Sequence, residues 1–184
     1  LEEFAEMGSI PVVNALSDYL HPCQIYADAF TMAEKWSKGD SLLGSLKGKK
    51  IAFLGDTACN MGNSWMLGGA LFGMEVALAG PAGYEPGSEI KETIAQAGLA
   101  PTWSFHTDPL EAVEGADAVY TDVWASMGQE DETEERAAVF HEFQVNETLM
   151  NLTDNGYFMH CLPAHRGQEV TAGVLEGPNS IVFD

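Results

Sequence analysis

The 184-residue, 19.8 kDa chain is long enough to bury one ordinary core, which excludes a peptide hormone or a disulfide miniprotein. Hydrophobic residues make up 46% of it, yet no apolar run approaches the ~20 residues that span a bilayer, so a membrane span is excluded. Twenty-eight acidic residues against eight basic ones leave a formal charge of −20 and a pI near 4.3; such a surface repels nucleic acid and anionic lipid, and suits a salt-rich source where carboxylate repulsion is screened.

The opening Leu1-Glu2-Glu3-Phe4 has neither the basic nor the apolar region of a signal peptide, and a start at Leu rather than Met points to a fragment. Cys23, Cys59 and Cys161 are odd in number, far apart and without a C-x-x-C pair, which fits a reducing, cytoplasmic compartment rather than a disulfide framework or zinc ribbon. Strand-length apolar runs then recur at 10–14, 50–55, 74–80, 102–105, 118–123, 157–162 and 180–183. Between them, helical patterns occupy 22–37, 60–72, 88–97, 108–114, 132–141 and 146–152, and the glycine-bearing 39–50 segment reads as a loop or short helix. Ile51-Ala52-Phe53-Leu54 and Val76-Ala77-Leu78-Ala79 are apolar throughout, as strands buried on both faces of a parallel sheet are. The expected fold is α/β: a doubly wound, mostly parallel, Rossmann-like sheet with helices on both faces and loops that converge at the carboxyl ends of the strands.

Polar segments follow these strands in the order such a site requires. His21-Pro22-Cys23-Gln24 opens the first long helix with Pro at N1, placing an imidazole where a neutral ring could donate to a carbonyl oxygen, with an amide one turn on. The loop Gly55 to Ser64 lacks the Gly-x-Gly-x-x-Gly of dinucleotide sites, since Thr57 fills the second glycine position; Asn60 and Asn63 instead offer amides beside a helix N-terminus, where a carboxylate is favoured. Asp122-Val123-Trp124-Ala125-Ser126-Met127-Gly128 supplies a carboxylate, a hydroxyl and an adjustable glycine, as recognition of an α-ammonium group requires. The acidic run beyond it reads as a solvated helix face, because no calcium-loop pattern is present. In His160-Cys161-Leu162-Pro163-Ala164-His165-Arg166-Gly167, a thiol sits among groups that could lower its pKa, though no cysteine-protease signature surrounds it.

Taken together, these four segments resemble ornithine carbamoyltransferases, and the likeness extends through Val12-Val13-Asn14-Ala15-Leu16-Ser17-Asp18 and Gly80-Pro81-x-Gly83-Tyr84-Glu85-Pro86. The resemblance implies transfer of the carbamoyl group of carbamoyl phosphate to the δ-amine of L-ornithine, giving citrulline and phosphate without metal or organic cofactor. By it, His21, Pro22, Cys23 and Gln24 bind the carbamoyl group and His21 polarises it, while Asn60, Asp122, Ser126 and Met127 hold ornithine. Cys161 and Leu162 border both substrates, and Asp122 and Cys161 orient the amine and assist its proton loss. It also implies a homotrimer for full-length members and marks two departures. The Ser-Thr-Arg-Thr phosphate grip of an N-terminal carbamoyl-phosphate domain and a C-terminal helix with its arginine are both missing from 1–184. Cys59 stands where asparagine is common. The chain is therefore expected to be the ornithine-binding domain, silent or nearly so alone. The other readings are a non-catalytic ornithine-binding or regulatory module and a nucleotide-binding Rossmann domain.

Overall fold

The computed structural model describes residues 1–39, 41–125 and 130–184. Five parallel strands form one sheet: β1 (Lys50–Leu54), β2 (Glu75–Ala79), β3 (Trp103–His106), β4 (Ala118–Thr121) and β5 (Tyr157–His160), in the order β3-β2-β1-β4-β5. Ile51 pairs with Val76 on one side and Ala118 on the other, so β1 lies at the centre of the sheet and is buried through its apolar run.

Because side chains alternate along a strand, the run feeds two cores. Ile51, Phe53, Val76, Leu78 and Tyr120 face α2 (Pro22–Trp36), α3 (Asn60–Phe72) and α4 (Ser88–Gln96). Ala52, Leu54, Ala77 and Val119 face α5 (Pro109–Val113), α7 (Glu147–Met150) and α8 (Ala172–Leu175). Two more helices, α1 (Glu2–Met7) and α6 (Thr133–Phe140), complete the set of α-helices among the described residues. The α/β sheet with helices on both faces thus has the expected form.

Local signals account for the boundaries. Pro22 occupies the first turn of α2, where no backbone N–H is needed. The Cys59 sulfur caps α3 by accepting from Gly62 N at 3.4 Å, and Gly73, at φ +69°, ends it in the left-handed region. Gly80 stands where a Cβ would lie 2.6 Å from the Gly55 carbonyl, so the exits of β1 and β2 approach each other as only glycine permits.

Two expected strands do not form. Residues 10–14 run as irregular backbone with Ile10 and Val13 exposed, having no neighbouring strand to satisfy their ladder groups. The 180–183 run makes one isolated bridge, Ser180 beside Phe158, and packs Ile181 into the core without extending the sheet. The 39–50 segment holds a 3-10 turn, Leu43–Leu46. Among the described residues, no helix is long and apolar enough to cross a membrane.

Candidate functional site

The sheet order reverses between β1 and β4, and loops leaving the two strands there must diverge, opening a crevice at their carboxyl ends. The segments after β1, β4 and β5 border this crevice, and the N-termini of α2 and α3 close its remaining side. His21 N donates to Ser64 Oγ at 2.8 Å, and that hydroxyl donates to the Asn60 carbonyl at 2.6 Å, which fixes the two helix starts together. Asn60 Nδ2 donates to the Ser17 carbonyl at 3.0 Å, leaving its second N–H and its oxygen for another partner.

At the far side, Cys161 Sγ donates to Asp122 Oδ1 at 3.0 Å, and Val123 N donates to the same oxygen at 2.7 Å. Desolvation raises the Asp122 pKa; the Cys161 bond and nearby His160 oppose the shift, and Glu169 adds to it. Burial, reinforced by the Asp122 carboxylate, pushes the Cys161 thiol up as well. The expectation that cationic neighbours would lower this thiol is therefore overturned. His165 and Arg166 are exposed, and Arg166 pairs with Glu176 at 2.8 Å. Cys161 is a thiol that donates a hydrogen bond, not a thiolate nucleophile.

His21 also differs from its expected state. Its Nδ1 lies 2.7 Å from the Ala15 carbonyl, and because a carbonyl only accepts, that nitrogen carries the proton. A neutral His21 then presents Nε2 as an acceptor, so donation to a substrate oxygen requires the imidazolium. Gln24 Nε2 donates to Asp28 Oδ1 at 2.9 Å, and Tyr120 OH donates to Asp28 Oδ2 at 2.7 Å. Burial raises the Asp28 pKa from 3.8 to about 6, against the pull of these two donors.

A cavity of about 290 Å³ borders Gln24, Asp28, His160, Cys161 and Leu162. Pro22 is half-buried; Cys23 is exposed, with its sulfur 3.7 Å from the Asn14 carbonyl. Leu162, at φ +59° before a cis Pro163, is exposed beside Cys161. The structure thus brings His21 and Asn60 together on one side, and Gln24, Asp122, Cys161 and Leu162 on the other. Cys59 links the sides: its thiol is raised first by burial and then by the charge of Asp122. Ser126 and Met127 lie outside the described residues.

Sequence reasoning missed Asp28, Tyr120, Glu169 and Arg136. Asp28 had a legible signal, a carboxylate on the helix stripe that also carries Ile25, Ala29 and Met32. Asp122, His160 and Cys161 bring one ligand atom each within 4.8 Å of one another, the donor set of a borderline-soft metal ion. Both imidazole nitrogens of His160 already face the protein: Nδ1 accepts from Leu162 N at 2.8 Å, and Nε2 lies 3.3 Å from Glu169 Oε1. An ion would have to displace one of these contacts.

Known proteins resemble this chain over its whole length. The family model for the aspartate/ornithine carbamoyltransferase Asp/Orn binding domain matches residues 47–184. Ornithine carbamoyltransferases of Pyrococcus horikoshii and Syntrophus aciditrophicus are 46% and 48% identical over the whole of this chain, which spans 56% and 58% of theirs. The solved ornithine carbamoyltransferase from Pyrococcus furiosus superposes with a TM-score of 0.84 at 44% identity, covering 99% of this chain and 56% of that one. The one from Giardia lamblia gives 0.82 at 36% identity, covering 100% and 60%. The chain therefore spans a little over half the length of the relatives it matches.

Proposed function

Because the chain belongs to the aspartate/ornithine carbamoyltransferase family, we propose that it is the ornithine-binding half of an ornithine carbamoyltransferase, transferring a carbamoyl group from carbamoyl phosphate to the δ-amine of L-ornithine. The observation that carries this reading is the Asp122–Cys161 pair at the crevice: a buried carboxylate, beside a neutral thiol, suited to a cationic amine.

The chemistry follows from the groups present. A δ-amine with a pKa near lysine's ~10.4 is almost wholly protonated at neutral pH and must lose a proton before it attacks carbon. Asp122 draws the ammonium end into the crevice, and the Cys161 sulfur, held by its bond to Asp122, orients the amine. With its pKa raised by burial, the Asp122 carboxylate is a stronger base than an exposed one and so better suited to accept that proton. Asn60, at the N-terminus of α3, receives the α-carboxylate through its remaining N–H. Ser126 and Met127 complete the hold on ornithine. His21, with Gln24, Pro22 and Cys23 around it, stabilises charge developing on the carbamoyl oxygen when its Nε2 carries a proton, and Leu162 borders both substrates.

Among the described residues, no lysine or arginine lines the cavity beside Cys161 to grip a dianionic phosphate. Of the eight basic side chains, Lys35, Lys49, Arg136 and Arg166 are held by carboxylates. Carbamoyl phosphate therefore depends on a complementary domain, a homotrimer is expected only of the complete enzyme, and 1–184 alone should be silent. A non-catalytic ornithine-binding module is the second reading, favoured by that same lack of a phosphate grip.

The test is an amide-resonance titration of the chain with L-ornithine, alongside a citrulline assay. Shifts clustered at 58–64, 120–124 and 160–163, lost in Asp122→Asn, are expected. Saturable shifts elsewhere, or shifts with a dinucleotide and none with ornithine, would overturn the reading, and citrulline above trace would overturn the silence of the isolated chain.

A further inference from the structure

In a chain of net charge −20, Arg136 is 6% exposed and lies in α6, in the interior of the molecule. Its Nε donates to the Trp124 carbonyl and its Nη2 to the Asp56 carboxylate, while Nη1 stands 3.7 Å from Glu132. The guanidinium lies over the rings of Phe140 and Tyr84, 5.1 and 5.6 Å from their centroids. Phe140 in turn stacks on Trp124 and meets Tyr84 edge-on, and the Tyr84 carbonyl accepts from Thr57 Oγ1. One side chain thus touches the loops that leave β1, β2 and β4.

Two of those contacts lie close in sequence to groups in the crevice. Asp56 is four residues before Asn60, and Trp124 is two after Asp122. Ornithine carries an α-carboxylate that a plain diamine lacks, and with Asn60 receiving that carboxylate while Asp122 receives the amine, the two holds must keep a set separation; a displacement of about 1 Å forfeits much of the gain. A guanidinium is suited to enforce it, since its planar fork satisfies two acceptors in set directions and its charge is little screened when buried. An ammonium cannot reproduce that fork.

We propose that Arg136 is a positioning residue that sets the spacing between the Asn60 and Asp122 loops and thereby selects an α-amino acid over a plain diamine. The proposal rests on the ornithine reading of the crevice and adds to it a determinant outside the ligand-touching residues. Arg136 acts through the loops and touches no substrate.

The test compares L-ornithine with 1,4-diaminobutane, which is ornithine without its carboxylate. Both are titrated into the wild-type chain, Arg136→Lys, Arg136→Met and Asp56→Asn, following amide resonances, with urea unfolding of each protein alongside. In the wild type, ornithine should bind more tightly than the diamine. In both Arg136 variants, ornithine affinity should fall at least about tenfold while diamine affinity changes less than about twofold, so that the preference collapses. Asp56→Asn should fall between. A general loosening would weaken both ligands in parallel with the loss of stability. An unchanged ornithine-to-diamine ratio in variants that remain folded overturns the proposal, as does full preference in Arg136→Lys. Should Arg136→Met fail to fold, Arg136→Lys and Asp56→Asn decide the matter. A wild-type chain that binds neither ligand overturns the ornithine reading itself, and this proposal with it, which distinguishes the two failures.

Discussion

Asp28 lies on the inner face of α2, 6% exposed, between the amide of Gln24 and the hydroxyl of Tyr120. Burial moves its pKa from 3.8 to about 6, so the folded state holds this proton over a range in which the unfolded state has released it. The stability it contributes is complete below pH 3.8 and is lost as pH rises through about 6, on the order of 3 kcal/mol in all. Replacing the carboxyl removes the titration: relative to wild type, Asp28→Asn should gain stability between pH 4 and pH 7, measured by urea unfolding across that range. Equal pH profiles for the two proteins would contradict the assignment. At this scale the sequence was legible where a functional group ends a strand. Asp122 and Cys161 both follow apolar runs, and both border the crevice. Groups inside elements were hidden, because their meaning lies in partners far along the chain: Asp28 with Tyr120, and Arg136 with Asp56.

Helix and strand boundaries were readable for similar reasons. The helix expected at 60–72 has those bounds in the structure, set by the Cys59 cap and by Gly73. The 10–14 run failed as a strand because apolar character does not provide a neighbour to pair with. The segment after β5 is held by its own interior rather than by a regular ladder. His160 Nδ1 accepts from Leu162 N, and the fully buried Glu169 meets His160 Nε2 at 3.3 Å and accepts from His165 N. Gln144 ties the same turn down by donating to the carbonyls of Gly167 and Gln168. Removing the carboxylate leaves the His160 Nε2 side of the ring and the His165 N–H without their acceptor, so Glu169→Ala should cost about 1–3 kcal/mol in denaturant unfolding. Glu169→Gln, which keeps an acceptor oxygen, should cost clearly less. Equal losses in the two variants would show that volume, not the acceptor, matters here.

For the whole molecule, the excess of carboxylates is the dominant electrostatic fact. Like charges at −20 destabilise a compact state, and salt screens them over a Debye length of about 10 Å at 0.1 M. The melting temperature should therefore rise from low to molar salt; a flat response would mean that the charges are already neutralised locally. If the crevice takes ornithine as proposed, the same field would draw that cationic amino acid in, and its association rate should fall as salt rises. The two-sided sheet was legible from its continuous apolar runs. The position of the crevice required strand order as well, which apolar patterning leaves undetermined.

Gly55, at φ +117°, lets the Trp124 indole lie against the β1 exit, and Trp124 itself is 5% exposed. That ring sits two residues from Asp122 and stacks on Phe140 beneath the guanidinium of Arg136. The crevice thus carries its own optical probe. With Trp36, Trp65 and Trp103 replaced by phenylalanine, the emission of the remaining indole would register cation arrival at the neighbouring carboxylate in real time, without any attached dye.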